Sequence, residues 1–124
     1  LYALGGASGG LTLYLDKGRL CYEYNMMIIE RYTAKAATLL TAGKHNVRVS
    51  TSISGPGQAG KVTLTVDGKE VGNAKLKRTV PLAFTASETL DIGIDLGSPV
   101  SPSYADRRPF RFDGIIKQVN VKLK

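Results

Sequence analysis

A β-hairpin pattern in the stretch 61–76 constrains the fold of this chain more than any other feature. Up to Val66, apolar residues alternate with lysine and threonine, so a strand here has one apolar and one polar face. Asp67-Gly68 then supplies the positive φ angles that a two-residue hairpin turn requires. Unbroken alternation after the turn would point Asn73 towards the core, so we predict a β-bulge at Gly72-Asn73 that restores the apolar face.

Similar alternation and turn residues recur along the chain. A second hairpin is predicted at 16–19, and the stretch 20–26 returns from it with two partly apolar faces, as a central strand requires. The stretch 28–36 is predicted to continue as a strand. Alanine, lysine and leucine at 32–40 also suit a helix, but the lack of a clear N-cap favours a strand followed by a loop.

The remaining stretches complete an all-β pattern. Prolines at the margins of 98–108 predict a loop there. About nine or ten short strands with polar turns imply two sheets packed face to face. We therefore predict an all-β, two-sheet antiparallel β-sandwich, with a closed barrel as the alternative. Phe110 and Phe112 also alternate with polar residues. The further strands are predicted at 45–53, 79–84, 90–96 and 115–124, the last with Val119, Val121 and Leu123 facing the core.

The size of the chain bounds its organisation. With 124 residues it has the length of one domain, so residues 1–124 are expected to form a single β-sandwich. The sequence begins without methionine and directly in apolar residues at Leu1, so we expect a piece of a longer protein. No apolar run approaches the roughly 20 residues of a transmembrane helix, and no membrane partner is expected.

The positive charge of the chain favours some classes of binding partner over others. A net charge of +7 favours anionic partners through long-range attraction. The basic residues are dispersed except at 75–78 and 107–111, and no stacking aromatic residues are interleaved with them in a strand context that resembles a known nucleic-acid-binding surface. Nucleic acid is therefore a less favoured partner than an acidic polysaccharide or an acidic neighbouring domain.

Residues for catalysis or metal binding are few. His45 is the only histidine and Cys21 the only cysteine, so neither a Cys–His nucleophile nor a zinc site is predicted. Asp91 and Asp95 carry oxygens that calcium prefers, but four residues of extended strand span roughly 13 Å, too far for one ion. Asp95 alone remains a weak metal candidate, and hydrogen bonds that fix the adjacent loop are its favoured role.

Two groups of side chains are candidates for binding. Tyrosine rings stack on sugars, and amide and guanidinium groups bond to hydroxyls, but tyrosines at inward strand positions more often pack in a core. Arginines receive sulfate or phosphate through paired N–H donors, although clustered arginines are more often solvated loop ends. The candidate glycan contacts are Tyr14, Asn25 and Arg31, and the candidate anion or partner contacts are Arg107, Arg108 and Arg111.

Several stretches, taken in order along nearly the whole chain, carry a family resemblance. The run from Asp91 to Tyr104 is its most specific part. Together the stretches resemble the C-terminal accessory domain of bacterial arylsulfatases, a jelly-roll sandwich of the concanavalin A or laminin G kind. The other matching stretches are 3–6, 9–14, 18–19, 22–25, 30–32, 43–47, 66–68 and 71–72.

The resemblance implies a role without catalysis for this chain. It implies that the chain packs in cis on an arylsulfatase catalytic domain and shapes its substrate cleft, with the stretch 98–111 reaching that partner. The parent protein is then expected to hydrolyse sulfate esters, to use calcium and formylglycine, and to be periplasmic or secreted. The alternative is an independent carbohydrate-binding module for anionic or sulfated glycans, which the same fold supports.

The formylglycine of that family arises from Cys or Ser followed by Pro two positions later and Arg four positions later. Cys21 has Glu23 and Asn25 at those positions, and Ser103 has Ala105 in place of the proline. The chain therefore lacks the residue that performs sulfate-ester hydrolysis in the family, and no cofactor is expected in it.

We predict that the purified chain does not hydrolyse an aryl sulfate, because neither Cys21 nor Ser103 fits the pattern. Release of nitrophenol from nitrophenyl sulfate measures this directly. Turnover that persists in a Cys21→Ala variant would refute the prediction.

Overall fold

The computed structural model describes residues 1–80, 90–96, 98–107 and 110–122, and these are mostly strand. A short 3₁₀ helix covers Pro102–Arg107. The strands are β1 (Tyr2–Gly6), β2 (Gly9–Asp16), β3 (Arg19–Met26), β4 (Glu30–Leu39), β5 (Val47–Ile53), β6 (Gly60–Val66), β7 (Lys69–Leu76), β8 (Leu90–Ile92), β9 (Ile94–Asp95) and β10 (Phe110–Arg111).

The strands form antiparallel sheets. A five-stranded sheet has the order β4-β3-β2-β1-β8, a three-stranded sheet has the order β5-β6-β7, and β9 pairs with β10. The larger two sheets enclose the main core, which the first supplies with Leu20 and Tyr22 and the second with Val62, Leu64 and Leu76. The predicted all-β two-sheet sandwich is confirmed.

Two hairpins form where the sequence predicts them. Lys17 and Gly18 have φ angles of 50° and 80° in the turn between β2 and β3, and Asp67 and Gly68 have 51° and 83° between β6 and β7. Positive φ at both central residues is the geometry whose twist suits a two-residue hairpin.

The predicted bulge exists, one position earlier than expected. Thr65 pairs with Glu70, but Leu64 pairs with Gly72, so Val71 is the extra residue. The bulge resets the side-chain alternation. As a result Leu76 points into the main core, where its side chain is buried.

Gly72 also marks a close approach between the two sheets. A Cβ atom at this position would lie 2.5 Å from the backbone oxygen of Lys35 on β4. The edges of the five-stranded and three-stranded sheets therefore come together at a point that only glycine fits.

The strand predicted to continue from 28 is instead preceded by a turn. Met27 and Ile28 have φ angles of 53° and 69°, and the N–H of Ile29 bonds to Met26 O at 3.0 Å. The chain reverses there, and β4 pairs antiparallel with β3 as far as Leu39. A strand rather than a helix is confirmed for this stretch.

The long strand predicted at 115–124 is absent from residues 115–122, the part of it that the structure describes. Phe110–Arg111, before this stretch, pairs with β9. Val121, expected in the core, is 72% exposed, and Val119 is also exposed. Apolar alternation makes a segment able to form a strand but supplies no neighbour to pair with. Leu123 lies outside the described residues.

Two other stretches differ from the prediction, and a third lies mostly outside the described residues. The stretch 98–108, expected to be irregular, contains the 3₁₀ helix Pro102–Arg107. The strand expected at 90–96 is divided into β8 and β9 at Gly93, whose φ angle is 82°. The predicted edge strand 79–84 lies mostly outside the described residues.

We expect Gly72→Ala to destabilise the fold by about 1–3 kcal/mol, because the added methyl group overlaps the backbone of β4. Urea unfolding measures the change. Gly55→Ala is the matched control, since the nearest atom to its added Cβ would be Gln58 Cδ at 3.5 Å, an ordinary contact. Equal stability of the two variants would contradict the close approach.

Candidate functional site

The face of the five-stranded sheet that points away from the main core carries polar and aromatic side chains. In the register between β2 and β3, Thr12 lies opposite Glu23 and Tyr14 lies opposite Cys21. Alternation places all four on this outer face, because their neighbours along each strand point into the main core. The segment 98–107 covers the face, and we call the polar contacts beneath it the outer-face network.

Glu23 occupies the centre of the network. Its side chain is 4% exposed, and its Oε1 receives Arg31 Nη1 at 3.0 Å. Its Oε2 accepts a hydrogen bond from the hydroxyl of Ser101. The same Arg31 Nη1 donates to the carbonyl oxygen of Val100 at 2.9 Å. Both oxygens of a buried carboxylate are thus bonded, which offsets its desolvation.

Asn25 joins three parts of the chain through its amide. Its Nδ2 donates to Ala7 O at 2.9 Å and to Val100 O at 3.4 Å. Its Oδ1 accepts from the N–H of Ile28 at 2.9 Å. Asn25 therefore stabilises the positive-φ turn after β3 and also holds the covering segment.

Asp95 fixes the covering segment from the other side. Its Oδ2 accepts from Val100 N at 3.2 Å and from the hydroxyl of Tyr104. That hydroxyl lies 3.2 Å from Thr12 Oγ1. Burial, together with the bond to Asp95, raises the pKa of Tyr104, so the phenol stays protonated and donates. These contacts match the loop-fixing role expected for Asp95.

Aromatic packing completes the cover. The rings of Tyr14 and Tyr104 meet edge to face at 5.0 Å, and Tyr104 stacks on Phe110 at 4.4 Å. The guanidinium of Arg107 lies 5.0 Å from the centre of the Phe110 ring. Such pairs stabilise beyond the area that they bury. The segment 98–107 is therefore held by apolar as well as polar contacts.

The candidate glycan contacts lie inside this network. Tyr14 is 2% exposed and Asn25 is 0% exposed. Arg31 keeps an exposed edge but donates to Glu23 and to Val100. A sugar would reach the first two side chains only if the covering segment moved away.

The candidate anion contacts are not gathered by the structure into one described site. Arg107 Nη1 pairs with Asp16 Oδ1 at 3.0 Å, and its Nη2 donates to Ser103 O at 3.0 Å. Arg111 is exposed on β10, and Arg108 lies outside the described residues. Arg107 thus serves first as an internal tie between β2 and the 3₁₀ helix.

A metal site needs several clustered ligands, and membrane crossing by a helix needs a long apolar segment. Among the described residues, no group of three or more His, Cys, Asp or Glu side chains is placed to hold a metal ion. In the same part of the chain, no helix has the length and apolar character needed to cross a bilayer.

Sequence reasoning missed Glu23 and Ser101 as network residues. The signal available was a glutamate within a stretch whose two faces are otherwise largely apolar. Such a position favours a buried and compensated carboxylate. The partner could not be found this way, because Ser101 lies 78 residues further along the chain.

A second surface feature is an open apolar cleft beside β8. It has a volume of about 460 Å³. Ile92 is 49% exposed beside it. We call it the β8 cleft, and it is lined by Ile92, Gly93, Phe112, Gly114, Ile116, Lys117, Gln118 and Val119.

We expect Tyr104→Phe to destabilise the fold by about 1–3 kcal/mol, because the buried Asp95 carboxylate loses a donor. Denaturant unfolding measures the loss. Tyr32→Phe is the control, since the Tyr32 hydroxyl accepts from Arg78 N in an exposed contact and its removal should matter less. Similar losses in both variants would contradict the importance of the outer-face network.

Comparison with protein-family models, with curated proteins and with solved structures gave no match to this chain. A functional proposal must therefore combine the geometry above with the sequence resemblance. The two features available to it are the outer-face network and the β8 cleft.

Proposed function

We propose that this chain is a non-catalytic β-sandwich domain that packs in cis on the catalytic domain of an arylsulfatase and shapes its substrate cleft. The parent protein hydrolyses sulfate esters in this proposal, with calcium and formylglycine held by the catalytic domain. A periplasmic or secreted location belongs to the same proposal. The contribution of this chain is a fixed surface rather than a reacting group.

The observation that carries the proposal is the exposed apolar surface around the β8 cleft. Ile92, Ile116 and Val119 line the cleft together with Phe112, and Ile92 and Val119 are 49% and 45% exposed. Scattered exposed apolar residues are ordinary, but apolar residues gathered at one cleft are typical of an interaction surface. A catalytic domain of the same protein is an occupant that would cover them permanently.

The backbone near the cleft supports the same role. In the described strand order β8 is the last strand of its sheet, so one row of its N–H and C=O groups faces away from β1. The N–H of Phe112 bonds to Gly93 O at 2.7 Å, after which the described chain to 122 forms no strand. An edge of this kind is suited to contact with another domain.

The resemblance and the outer-face network also agree. Glu23, Asn25, Arg31, Asp95 and Tyr104 all belong to stretches that carry the resemblance, and each of them bonds within the network. A satisfied buried network rigidifies the chain around it. It therefore presents the covering segment in one fixed position, as a docking element requires.

The glycan-binding alternative receives less support. A sugar site needs exposed rings on a concave surface with a few polar groups. The ring of Tyr14 instead packs against Tyr104 and Phe110. Of the eight residues that line the β8 cleft, one carries an aromatic ring, Phe112, and two are polar, Lys117 and Gln118.

We predict that Ile92→Asp lowers the stability and the aryl sulfate turnover of the parent protein, and that it changes the stability of the isolated chain much less. Only in the parent would the aspartate charge be buried at a domain contact. Truncating a central interface residue costs about 2 kcal/mol or more. Thermal unfolding and aryl sulfate turnover of the parent measure the effect. Ile53→Asp is the matched control, since Ile53 is similarly exposed but lies on β5.

Equal effects of the two variants on the parent would refute the β8 cleft as the docking surface. The arylsulfatase assignment has a separate test. The coding sequence upstream of Leu1 is expected to contain Cys or Ser with Pro two and Arg four positions later. Its absence would refute the assignment whatever the variants show.

A further inference from the structure

His45, in the loop between β4 and β5, joins two segments that are distant in sequence. Its Nδ1 lies 2.7 Å from Asp67 Oδ2 in the turn between β6 and β7. Its Nε2 lies 2.7 Å from the carbonyl oxygen of Thr41 and 3.4 Å from the hydroxyl oxygen of the same residue. The other carboxylate oxygen of Asp67 accepts from Asn46 N at 2.8 Å, and Asp67 N donates to Asn46 O at 2.8 Å.

The chemistry of these partners determines the protonation of the ring. A peptide carbonyl and an ionised carboxylate accept hydrogen bonds and donate none. A neutral imidazole carries one N–H, whereas the imidazolium carries two. Only the imidazolium form of His45 can donate to Thr41 and Asp67 at the same time.

The electrostatics agree with this geometry. The hydrogen bond to Asp67, followed by the one to Thr41 O, raises the pKa of His45 above its ordinary value of 6.5. The N–H of Asn46, followed by the bond from His45, lowers the pKa of the Asp67 carboxyl. The pair therefore exists as imidazolium and carboxylate in weakly acidic solution.

Two lysines and one arginine do not change the protonation states assigned to His45 and Asp67. Lys44 and Lys69 are exposed, one beside His45 in the chain and one beyond the turn. Arg19, on the adjoining start of β3, directs its guanidinium to the carbonyl oxygens of Ala36 and Ala37 on β4. Asp67 is the charged group that raises the pKa of the ring.

The His45–Asp67 pair lies beside a cavity between the two large sheets. The cavity has a volume of about 200 Å³ and is lined by Leu20 of β3, Leu39 of β4 and Val66 of β6, among others. Thr41 and His45 form part of its wall. The loop that His45 holds is therefore one wall of this cavity.

We propose that His45 is a pH-sensitive latch, which holds the loop 41–46 against the Asp67 turn while protonated and releases Thr41 when it loses a proton. The remaining proton stays on Nδ1, because the charge-assisted bond to Asp67 is the stronger of the two. The lone pair of Nε2 then faces the lone pairs of Thr41 O at a distance suited only to a hydrogen bond. The loop moves away at Thr41, and the cavity opens.

The sign of the stability effect follows from linkage. The folded protein binds the His45 proton more tightly than the unfolded chain does, because the pKa is raised on folding. The contribution of the latch to stability is complete below about pH 6.5, the ordinary pKa of histidine. It is lost as the pH rises through the raised pKa of the folded protein.

An NMR titration of the whole chain between about pH 5 and pH 9, a range that spans the histidine pKa, tests the proposal. The ring signals of His45 and the backbone amides of Thr41, Ala42 and Gly43 are followed together. We expect one shared midpoint above the ordinary value of histidine. Loop amides that do not titrate, or that titrate with a different midpoint, would overturn the latch.

Asp67→Asn is the first variant in the test. Asparagine tolerates the φ of 51° at this position, so the hairpin is retained while the carboxylate charge is removed. We expect the shared midpoint to move to lower pH. An unchanged midpoint, with the sheet amides still dispersed, would show that Asp67 does not hold the proton and would overturn the latch.

His45→Gln is the second variant. It removes the only histidine of the chain. Any titration in the same range that comes from another group persists in this variant. We expect the loop amides to lose their pH dependence, and a loop titration that remained as in the unaltered chain would contradict the role of His45.

Discussion

The covering of the outer face depends on compensating a buried charge, the carboxylate of Glu23. A carboxylate removed from water costs several kcal/mol unless ionic and hydrogen-bond partners replace the solvent. Arg31, on the neighbouring strand, supplies one partner, and Ser101 supplies the other from 78 residues further along the chain. The segment that contains Ser101 must therefore lie across the outer face, and the sheet becomes covered on both sides.

This arrangement explains why β3 carries apolar residues on both of its faces and is buried along nearly its whole length. Its even-numbered residues Leu20, Tyr22 and Tyr24 pack in the main core, while Cys21 packs beneath Tyr104 on the other side. A strand covered on both faces cannot show a simple alternation of polar and apolar residues. The partly apolar character of both faces was the signal from which the sequence predicted a central strand.

The hairpin turns could be predicted because their signals are local residues. Pairing between distant segments could not be predicted in this way. Gly18 and Gly68 indicate positive φ by their identity, whereas Met27 and Ile28 adopt it in a turn where Asn25 Oδ1 accepts from the N–H of Ile28. Alternation predicted a strand for 115–124, and no strand forms in 115–122, the part that the structure describes. Asp95 could be assigned a loop-fixing role because its loop is adjacent, but the partners of Glu23 could not be read from the sequence.

The outer face of the five-stranded sheet contrasts with its β8 edge, and this contrast agrees with the proposed docking role. The chain uses its own segment 98–107 to cover a polar face, at the expense of ordering that segment. It leaves apolar side chains such as Ile92 and Ile115 in water, although each Å² of apolar surface removed from water gains about 25 cal/mol. The chain covers its own polar face but leaves an apolar edge exposed. This is the arrangement expected if another domain packs on that edge.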